Sequence, residues 1–273
     1  MASSPVGRPT RGTTGTNRLR RNDRWIAASD AFRRARDPLV VDLGYGASGV
    51  TAFELAARLR RVRTDAEVKG LEIDPARVAI ATAQLDEVRA GATPFPADLN
   101  VSFARGGFEV PLPGGRRAAV IRAMNVLRQY DEADVSGAWG TMTDRLADGG
   151  LLVEGTCDEI GRVASWIDAT AAGPVRFTIS LRLAGLDHPS VVAERLPKAL
   201  IHRNVPGERI HALLTDLDRE WERAAALSTF GATQRFVAAV TALKAQGWPV
   251  QGGKQRWRLG ELTVPWAAVA PLV

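Results

Sequence analysis

The chain has 273 residues, 45% of them hydrophobic and 24% charged, a composition typical of one large soluble domain with an ample core. No stretch approaches the roughly 18 to 20 apolar residues that span a bilayer, and no apolar segment follows the basic N-terminal residues, which argues against a membrane span and a secretory signal. The single cysteine, Cys157, excludes an internal disulfide, so we expect a cytoplasmic protein.

The net charge of +6 is concentrated at the N-terminus, since residues 1–37 carry nine arginines against three aspartates. Residues 1–22 have almost no large apolar side chains, which is typical of an arm that does not fold alone. Residues 23–36 show helical apolar spacing, and Asp37-Pro38 is a stop signal. We therefore predict a basic arm and helix over residues 1–37. Residues 8–36 are a candidate site for nucleic acid, the alternative being an arginine bias without a binding role.

From Pro38 onward, short apolar runs alternate with helical patterns, which predicts parallel strands joined by helical crossovers. Strands are predicted at 38–43, 66–73, 100–103, 118–124, 150–155, 175–183 and 255–264, and helices at 50–63, 76–90, 135–146, 206–227 and 233–246. The fold class is therefore α/β, a doubly wound, mostly parallel seven-stranded sheet in a domain of residues 38–273.

The first predicted strand ends in Asp42 and a glycine-rich turn that opens a helix. Gly44 and Gly46 let the backbone turn sharply and approach a ligand closely. Such a turn also describes the nicotinamide-dinucleotide fingerprint, so its neighbours must discriminate. A carboxylate at Asp42 disfavours a pyrophosphate and suits a cationic, amine-bearing ligand. Glu72 ends the second strand, where a carboxylate accepts hydrogen bonds from ribose hydroxyls.

Four segments together resemble the class I, Rossmann-like methyltransferases that use S-adenosylmethionine (SAM). The segments, in chain order, are Asp42-Leu-Gly-Tyr-Gly-Ala-Ser-Gly49, Gly70-Leu-Glu-Ile-Asp-Pro75, Ala119-Val-Ile-Arg-Ala-Met-Asn-Val-Leu127 and Leu146-Ala-Asp-Gly-Gly-Leu-Leu-Val-Glu154. The third glycine of the turn is displaced by one position, and Asp148 stands where the family usually has proline. The resemblance runs from about Pro38 to Gly155.

The resemblance implies a SAM site and a methyl-transfer activity. The residues that it implies for the cofactor are Asp42, Gly44, Tyr45, Gly46, Glu72, Ile73, Gly107, Phe108 and Asn125. Gly107 stands where many members have an acid for the adenine amino group, which leaves backbone groups near Gly107, the ring of Phe108 and the carboxylate of Glu109 for that contact. Arg122, Arg128 and Tyr130 flank the fourth strand end and are candidates for the acceptor. Residues 184–250 are a candidate helical cover on the acceptor side.

Two other functions stay open from the sequence. One is a non-catalytic, methyltransferase-like binding protein that uses its arginine-rich arm, and the other is an NAD(P)-dependent oxidoreductase. The three histidines are scattered without metal-ligand spacing, so we predict no metal site and assign no catalytic base. SAM carries its own reactive group, and the sequence therefore leaves the acceptor open between a nucleic acid and a small molecule.

Overall fold

The structure is a computed structural model that describes residues 5–10, 12 and 14–272. Within these residues, eight strands form one sheet in the order β3-β2-β1-β4-β5-β6-β7-β8. Their bounds are β1 Leu39–Leu43, β2 Glu67–Glu72, β3 Val101–Arg105, β4 Ala118–Met124, β5 Leu146–Cys157, β6 Val163–Thr170, β7 Gly173–Leu181 and β8 Glu261–Pro265. The predicted α/β class is confirmed.

The parallel part of the sheet is built from apolar runs that are covered on both faces. All residues of β1 and β4 are buried. β1 pairs in parallel with β2 and β4, and β2 pairs in parallel with β3. From β1 the strand order runs outward through β2 and β3 on one side, and β4 lies on the other side. The order therefore reverses between β1 and β4, and open sheets of this kind bind ligands at the carboxyl ends of the strands at such a point.

The predicted number of seven strands is wrong, because β6 was missed. β5 and β6 are joined by five residues, and β6 and β7 by two, which is too short for a parallel crossover. Buried polar residues hide β6 in the sequence, since Ser165 and Asp168 interrupt its apolar pattern. Asp168 tolerates burial because it forms an ion pair with Arg176 of the next strand. β7 and β8 are antiparallel.

In the described part of the chain, the helices are α1 Arg20–Ala28, α2 Asp30–Arg33, α3 Val50–Leu59, α4 Pro75–Arg89, α5 Val135–Thr143, α6 Lys198–Ile201, α7 Arg209–Arg223, α8 Ala232–Ala245 and α9 Lys254–Trp257. The helices predicted at 50–63, 135–146 and 206–227 are shorter than predicted, and those predicted at 76–90 and 233–246 keep their length but start one residue earlier. The predicted helix over 23–36 is divided at Ser29, which is extended and caps α2 by accepting a hydrogen bond from the Phe32 N–H. Residues 255–257, predicted as strand, are helical in α9.

The chain divides into two compact units. The first contains the described residues up to 154 together with 159–161 and 169–173, and the second contains 155–158, 162–168 and 174–272. In the second unit, Trp221 of α7 meets Phe236 of α8 edge to face at 6.5 Å, and Arg235 stacks over the Trp221 ring at 3.9 Å. Both aromatic side chains are buried, which fixes the α7–α8 hairpin.

Candidate functional site

A cleft lies in the first unit at the carboxyl ends of β1 and β2, beside the segments that follow β3 and β4. Its lining residues are Val6, Gly7, Arg8, Thr10, Leu43, Gly44, Glu72, Ile73, Gly106, Gly107, Phe108, Val126 and Tyr130. The fold thus brings together six of the residues singled out in the sequence: Gly44, Glu72, Ile73, Gly107, Phe108 and Tyr130. Their roles toward a ligand stay predictions.

The glycine turn after β1 has the conformation that glycine permits. Gly44 and Gly46 have φ angles of 68° and 91°. A Cβ on Gly44 would lie 2.8 Å from a methyl group of Val126, so the turn packs directly against the segment after β4. Any side chain at this position would push the two walls of the cleft apart.

The N–H groups of this turn are bonded within the protein. The Gly44 N–H donates to the Leu71 carbonyl at 2.7 Å, the Gly46 N–H to Glu72 Oε2 at 3.1 Å and the Gly49 N–H to Gln84 Oε1 at 2.9 Å. A dinucleotide turn offers such groups to a pyrophosphate. Here a phosphate would have to displace a carboxylate and an amide oxygen.

Glu72 holds the turn and also faces the cleft. Its side chain is buried, with 1% of the residue exposed, and Oε1 accepts a hydrogen bond from the Ile73 N–H at 2.9 Å. Arg77 Nη1 lies 3.7 Å from Oε2 and balances the charge. A carboxylate has about four acceptor positions, so Glu72 keeps acceptor capacity for hydroxyl groups in the cleft.

Asp42 lies beneath the turn in a buried ion-pair cluster. It is the register partner of Arg122 on the neighbouring strand, which places both side chains on one face. Arg122 binds Asp42 through Nε–Oδ1 at 2.8 Å and Nη2–Oδ2 at 2.6 Å, and it also pairs with Asp23 of α1. Arg122 is fully buried. Arg122 therefore neutralises two buried carboxylates, and its side chain is not exposed to an acceptor.

The same cluster continues to the helices that flank β1. Arg58 of α3 pairs with Asp23 and, at 3.2 Å, with Glu54. Burial raises the pKa of Asp23 to about 6 although Arg122 and Arg58 oppose the rise. Burial lowers the pKa of Arg122, but Asp42 and Asp23 outweigh this effect and the net pKa is raised. Arg122 therefore stays charged.

The segment after β3 places a donor and an acceptor side by side at the cleft. The Phe108 N–H points to the cleft, where it donates to the Val6 carbonyl at 2.9 Å. Glu109 Oε1 accepts from the Gly107 N–H at 2.9 Å, and Oε2 accepts from the Val6 N–H at 2.7 Å. The Phe108 ring packs against Tyr130 with 5.3 Å between ring centres. Glu109, the carboxylate nearest in sequence to the missing acid, thus lies at this end of the cleft.

The other residues singled out in the sequence lie outside the cleft lining. Tyr45 is buried behind the turn, its ring edge to face with Phe103 at 5.1 Å. Burial, with Glu72 and Asp42 nearby, raises the pKa of Tyr45. Asn125 has a φ of 62°, a left-handed conformation that asparagine tolerates, and it aims the chain into the cleft at Val126. Arg128 is exposed on the single helical turn that follows.

Sequence reasoning missed the N-terminal contribution to the cleft. Residues 6, 7, 8 and 10 line it, although their composition gave no structural signal. The arginines of this region do not form one free basic surface, because Arg18 and Arg21 are buried and the Arg21 Nε donates to the Gly161 carbonyl. A role of residues 8–36 in binding nucleic acid stays a prediction.

Membrane-spanning helices and groups of metal ligands are both absent from the described part of the chain. No helix there is both long enough and apolar enough to cross a membrane. Within residues 5–10, 12 and 14–272, no three His, Cys, Asp or Glu residues are grouped so that they could hold a metal ion.

Comparison with known proteins gives matches among solved structures. No protein-family model matches the chain, and no curated protein sequence matches it. The magnesium protoporphyrin IX methyltransferase of Synechocystis PCC 6803, solved with bound S-adenosylhomocysteine (SAH), is 19% identical, with a TM-score of 0.37 over 50% of this chain and 53% of that one. The CcbJ methyltransferase of Streptomyces caelestis is 19% identical, with a TM-score of 0.39 over 62% of this chain and 68% of that one.

A third solved structure is an O-methyltransferase from neocarzinostatin biosynthesis, NcsB1, in complex with SAH and 1,4-dihydroxy-2-naphthoic acid. It is 18% identical, with a TM-score of 0.35 over 50% of this chain and 37% of that one. The chain thus spans about half, or less, of the length of two of these three methyltransferases.

Proposed function

We propose that this chain is a class I methyltransferase that binds SAM in the cleft and transfers its methyl group to a nucleophilic nitrogen, oxygen or carbon atom of an acceptor. One observation carries the proposal: the ends of β1 and β2 and the segments after β3 and β4 converge, so that Glu72 and Phe108 line one cleft beside the glycine turn. Glu109 lies next to Phe108 and is bonded to Val6 of the cleft lining. These are groups that recognise an adenosyl ligand.

The residues present fit such a ligand by the chemistry of their donors and acceptors. Glu72 offers carboxylate oxygens to the two hydroxyl groups of a ribose. The Phe108 N–H and the Glu109 carboxylate offer a donor beside an acceptor, which complements the ring nitrogen and amino group on the Watson–Crick edge of adenine. Phe108 supplies apolar surface for the base, and its ring packs against Tyr130.

The bonding of the glycine turn favours this ligand over a nicotinamide dinucleotide. The Gly46 and Gly49 N–H groups are bonded to Glu72 and Gln84. A pyrophosphate would have to displace both acceptors to reach these N–H groups. The repulsion predicted for Asp42 is weaker than the sequence implied, because Arg122 neutralises that carboxylate. The occupied N–H groups of the turn therefore supply the discrimination instead.

When bound, SAM supplies a methyl group on a positively charged sulfur, so the chain needs no strong acid or base of its own. The residues of the cleft contribute by positioning the two reactants in line and by excluding water. Tyr130 and Arg128 are our candidates for contacting the acceptor, because Tyr130 lines the cleft and Arg128 is exposed on the same turn. A nucleic acid and a small molecule both stay candidates for the acceptor.

The experiment that separates the functional classes is a calorimetric titration of the full chain with SAH, NAD and NADP. We expect saturable, one-to-one binding of SAH and none of the nicotinamide nucleotides. Binding of NAD or NADP alone would replace the proposal with the oxidoreductase. If a folded chain, verified by cooperative thermal unfolding, binds none of the three, the non-catalytic alternative is favoured.

A further inference from the structure

The N-terminal residues 5–10 and 12, here called the arm segment, run through the cleft that the proposed function assigns to the cofactor. Four of its residues line the cleft: Val6, Gly7, Arg8 and Thr10. The space that remains is about 20 Å³, enough for about one water molecule. Sites for ligands of cofactor size span roughly 300–1,000 Å³. The arm segment and an adenosyl ligand therefore cannot occupy the cleft together.

At the end of the cleft beside β3, the arm segment uses the groups that would read adenine. Val6 donates its N–H to Glu109 Oε2 at 2.7 Å and accepts from the Phe108 N–H at 2.9 Å. One residue of the arm segment thus presents a donor beside an acceptor, the same pattern as the Watson–Crick edge of adenine. Its backbone satisfies both protein groups without any base.

Gly107 is a position at which the arm segment passes close to the cleft wall. A Cβ there would fall far inside contact distance of the Val6 carbonyl. An acidic side chain at residue 107 is therefore incompatible with the arm segment in its observed path. The glycine that the sequence presents as a missing adenine contact has a structural reason in the arm segment itself.

At the glycine turn, the arm segment forms a second backbone contact. The Ala47 N–H, in the turn that precedes α3, donates to the Gly12 carbonyl at 3.1 Å. Arg77 of α4 fixes the intervening stretch, since it donates to the Thr10 carbonyl at 2.8 Å and to the Thr10 hydroxyl at 3.1 Å. Both ends of the cleft are thus bridged by backbone of the arm segment.

The middle of the arm segment is held by residues that follow β4. The Arg8 N–H donates to the Tyr130 hydroxyl, and Gln129 Nε2 donates to the Arg8 carbonyl at 3.2 Å. The Arg8 guanidinium lies over the Tyr130 ring, 5.6 Å from its centre. Tyr130, a candidate acceptor contact, is therefore engaged by the arm segment as well.

We propose that the arm segment is an internal competitor of the cofactor, a strap that must leave the cleft before SAM binds. The inference rests on the proposed function of the cleft. Val6, Gly7 and Arg8 are exposed on their outer side, so the segment leaves without unfolding the sheet. The affinity measured for the cofactor is then the intrinsic affinity reduced by the fraction of molecules whose cleft is open.

Gly7→Val tests the competition without changing any cleft residue outside the arm segment. Gly7 has a φ of 130°, and a Cβ there would lie 3.0 Å from the Tyr130 hydroxyl and 3.1 Å from the Ile73 side chain. Valine at this position is strained in the observed path, so the open state is favoured. Gly15→Val is the matched control, because the nearest atom to a Cβ at Gly15 is the Glu159 carbonyl oxygen at 3.9 Å.

We expect Gly7→Val to bind SAH at least tenfold more tightly than the wild-type chain in calorimetry, and Gly15→Val to match the wild type. In the wild-type chain, amide hydrogen exchange in residues 5–12 should become faster when SAH is saturating. Equal or weaker binding by Gly7→Val, or slower exchange of residues 5–12 with SAH, overturns the competition and leaves the proposed function standing. Absence of SAH binding by both folded proteins overturns the proposed function and this inference together.

Discussion

Replacing Glu154 with glutamine should make the protein more stable at alkaline pH. Glu154 on β5 is fully buried, Oε1 has no hydrogen-bond partner in the described part of the chain, and Oε2 accepts from the Trp139 indole at 3.4 Å. Burial raises the pKa of Glu154 to about 8, against an ordinary 4.5. The folded chain therefore holds this proton more tightly than the unfolded chain does.

The sign and size of the effect follow from that difference in pKa. The stability that protonated Glu154 contributes should be complete below about pH 4.5, decrease as pH rises and be lost above about pH 8. Between pH 5 and pH 9, ionisation of Glu154 should lower the free energy of unfolding of the wild type by about 4 kcal/mol. Glu154→Gln does not ionise, so it should not show this loss.

The assay is urea denaturation of both proteins at pH 5, 7 and 9. The difference in unfolding free energy between variant and wild type removes the contributions of groups such as Asp23 that both proteins share. Glu87→Gln, on the exposed face of α4, is the matched control and should follow the wild type. If the Glu154→Gln and wild-type profiles are parallel between pH 5 and pH 9, Glu154 is not a buried acid with a raised pKa.

Two further substitutions test the buried polar groups around the turn. Arg122→Met leaves the buried carboxylates of Asp42 and Asp23 without their shared cation, so chemical denaturation at pH 7 should show a loss of about 3–5 kcal/mol. A loss below 1 kcal/mol would contradict the charge balance described for that cluster. Tyr45→Phe removes a buried hydroxyl that has no hydrogen-bond partner among the residues described, so it should be neutral or stabilise the protein by about 1 kcal/mol. A clear loss of stability in Tyr45→Phe would show that the hydroxyl has a partner.

The elements that the sequence predicts most accurately are those with purely local signals. β4 has the predicted bounds, 118–124, because its run of buried side chains starts after two arginines and ends at the left-handed Asn125. The turn at Gly44 and Gly46 follows from the need for positive φ angles. Both features depend on residues within a few positions of each other.

The features that escaped prediction depend on distant partners. Asp168 is acceptable inside β6 only because Arg176 pairs with it, and the pairing requires the hairpin to be formed. The sequence places Arg122 near the end of a strand, where it could face an acceptor. In the structure it pairs with Asp23, which lies in a helix 99 residues earlier in the chain. Its predicted contact with an acceptor stays a prediction, but the cluster already uses its charge.

The path of the arm segment had no signal that sequence reasoning could use. Val6 and Gly12 bind the cleft through backbone N–H and carbonyl groups, which every residue type except proline offers in full. A stretch of Gly, Pro, Ser and Thr therefore has the composition of a free tail whether or not its backbone binds to the rest of the chain. Gly107, at the usual position of an acid, is explained only by the structure, because the Val6 backbone lies against it.

The most direct test of the account is the affinity of the Glu72→Gln variant for SAH, measured by calorimetry beside the wild type and Glu87→Gln. Glutamine keeps the size of the side chain and one acceptor oxygen for the turn, but it replaces the other oxygen with a donor and removes the charge. We expect Glu72→Gln to bind at least tenfold more weakly, which corresponds to about 1.4 kcal/mol, and Glu87→Gln to bind as the wild type does. Undiminished SAH binding by Glu72→Gln would contradict the assignment of this cleft as the adenosyl site.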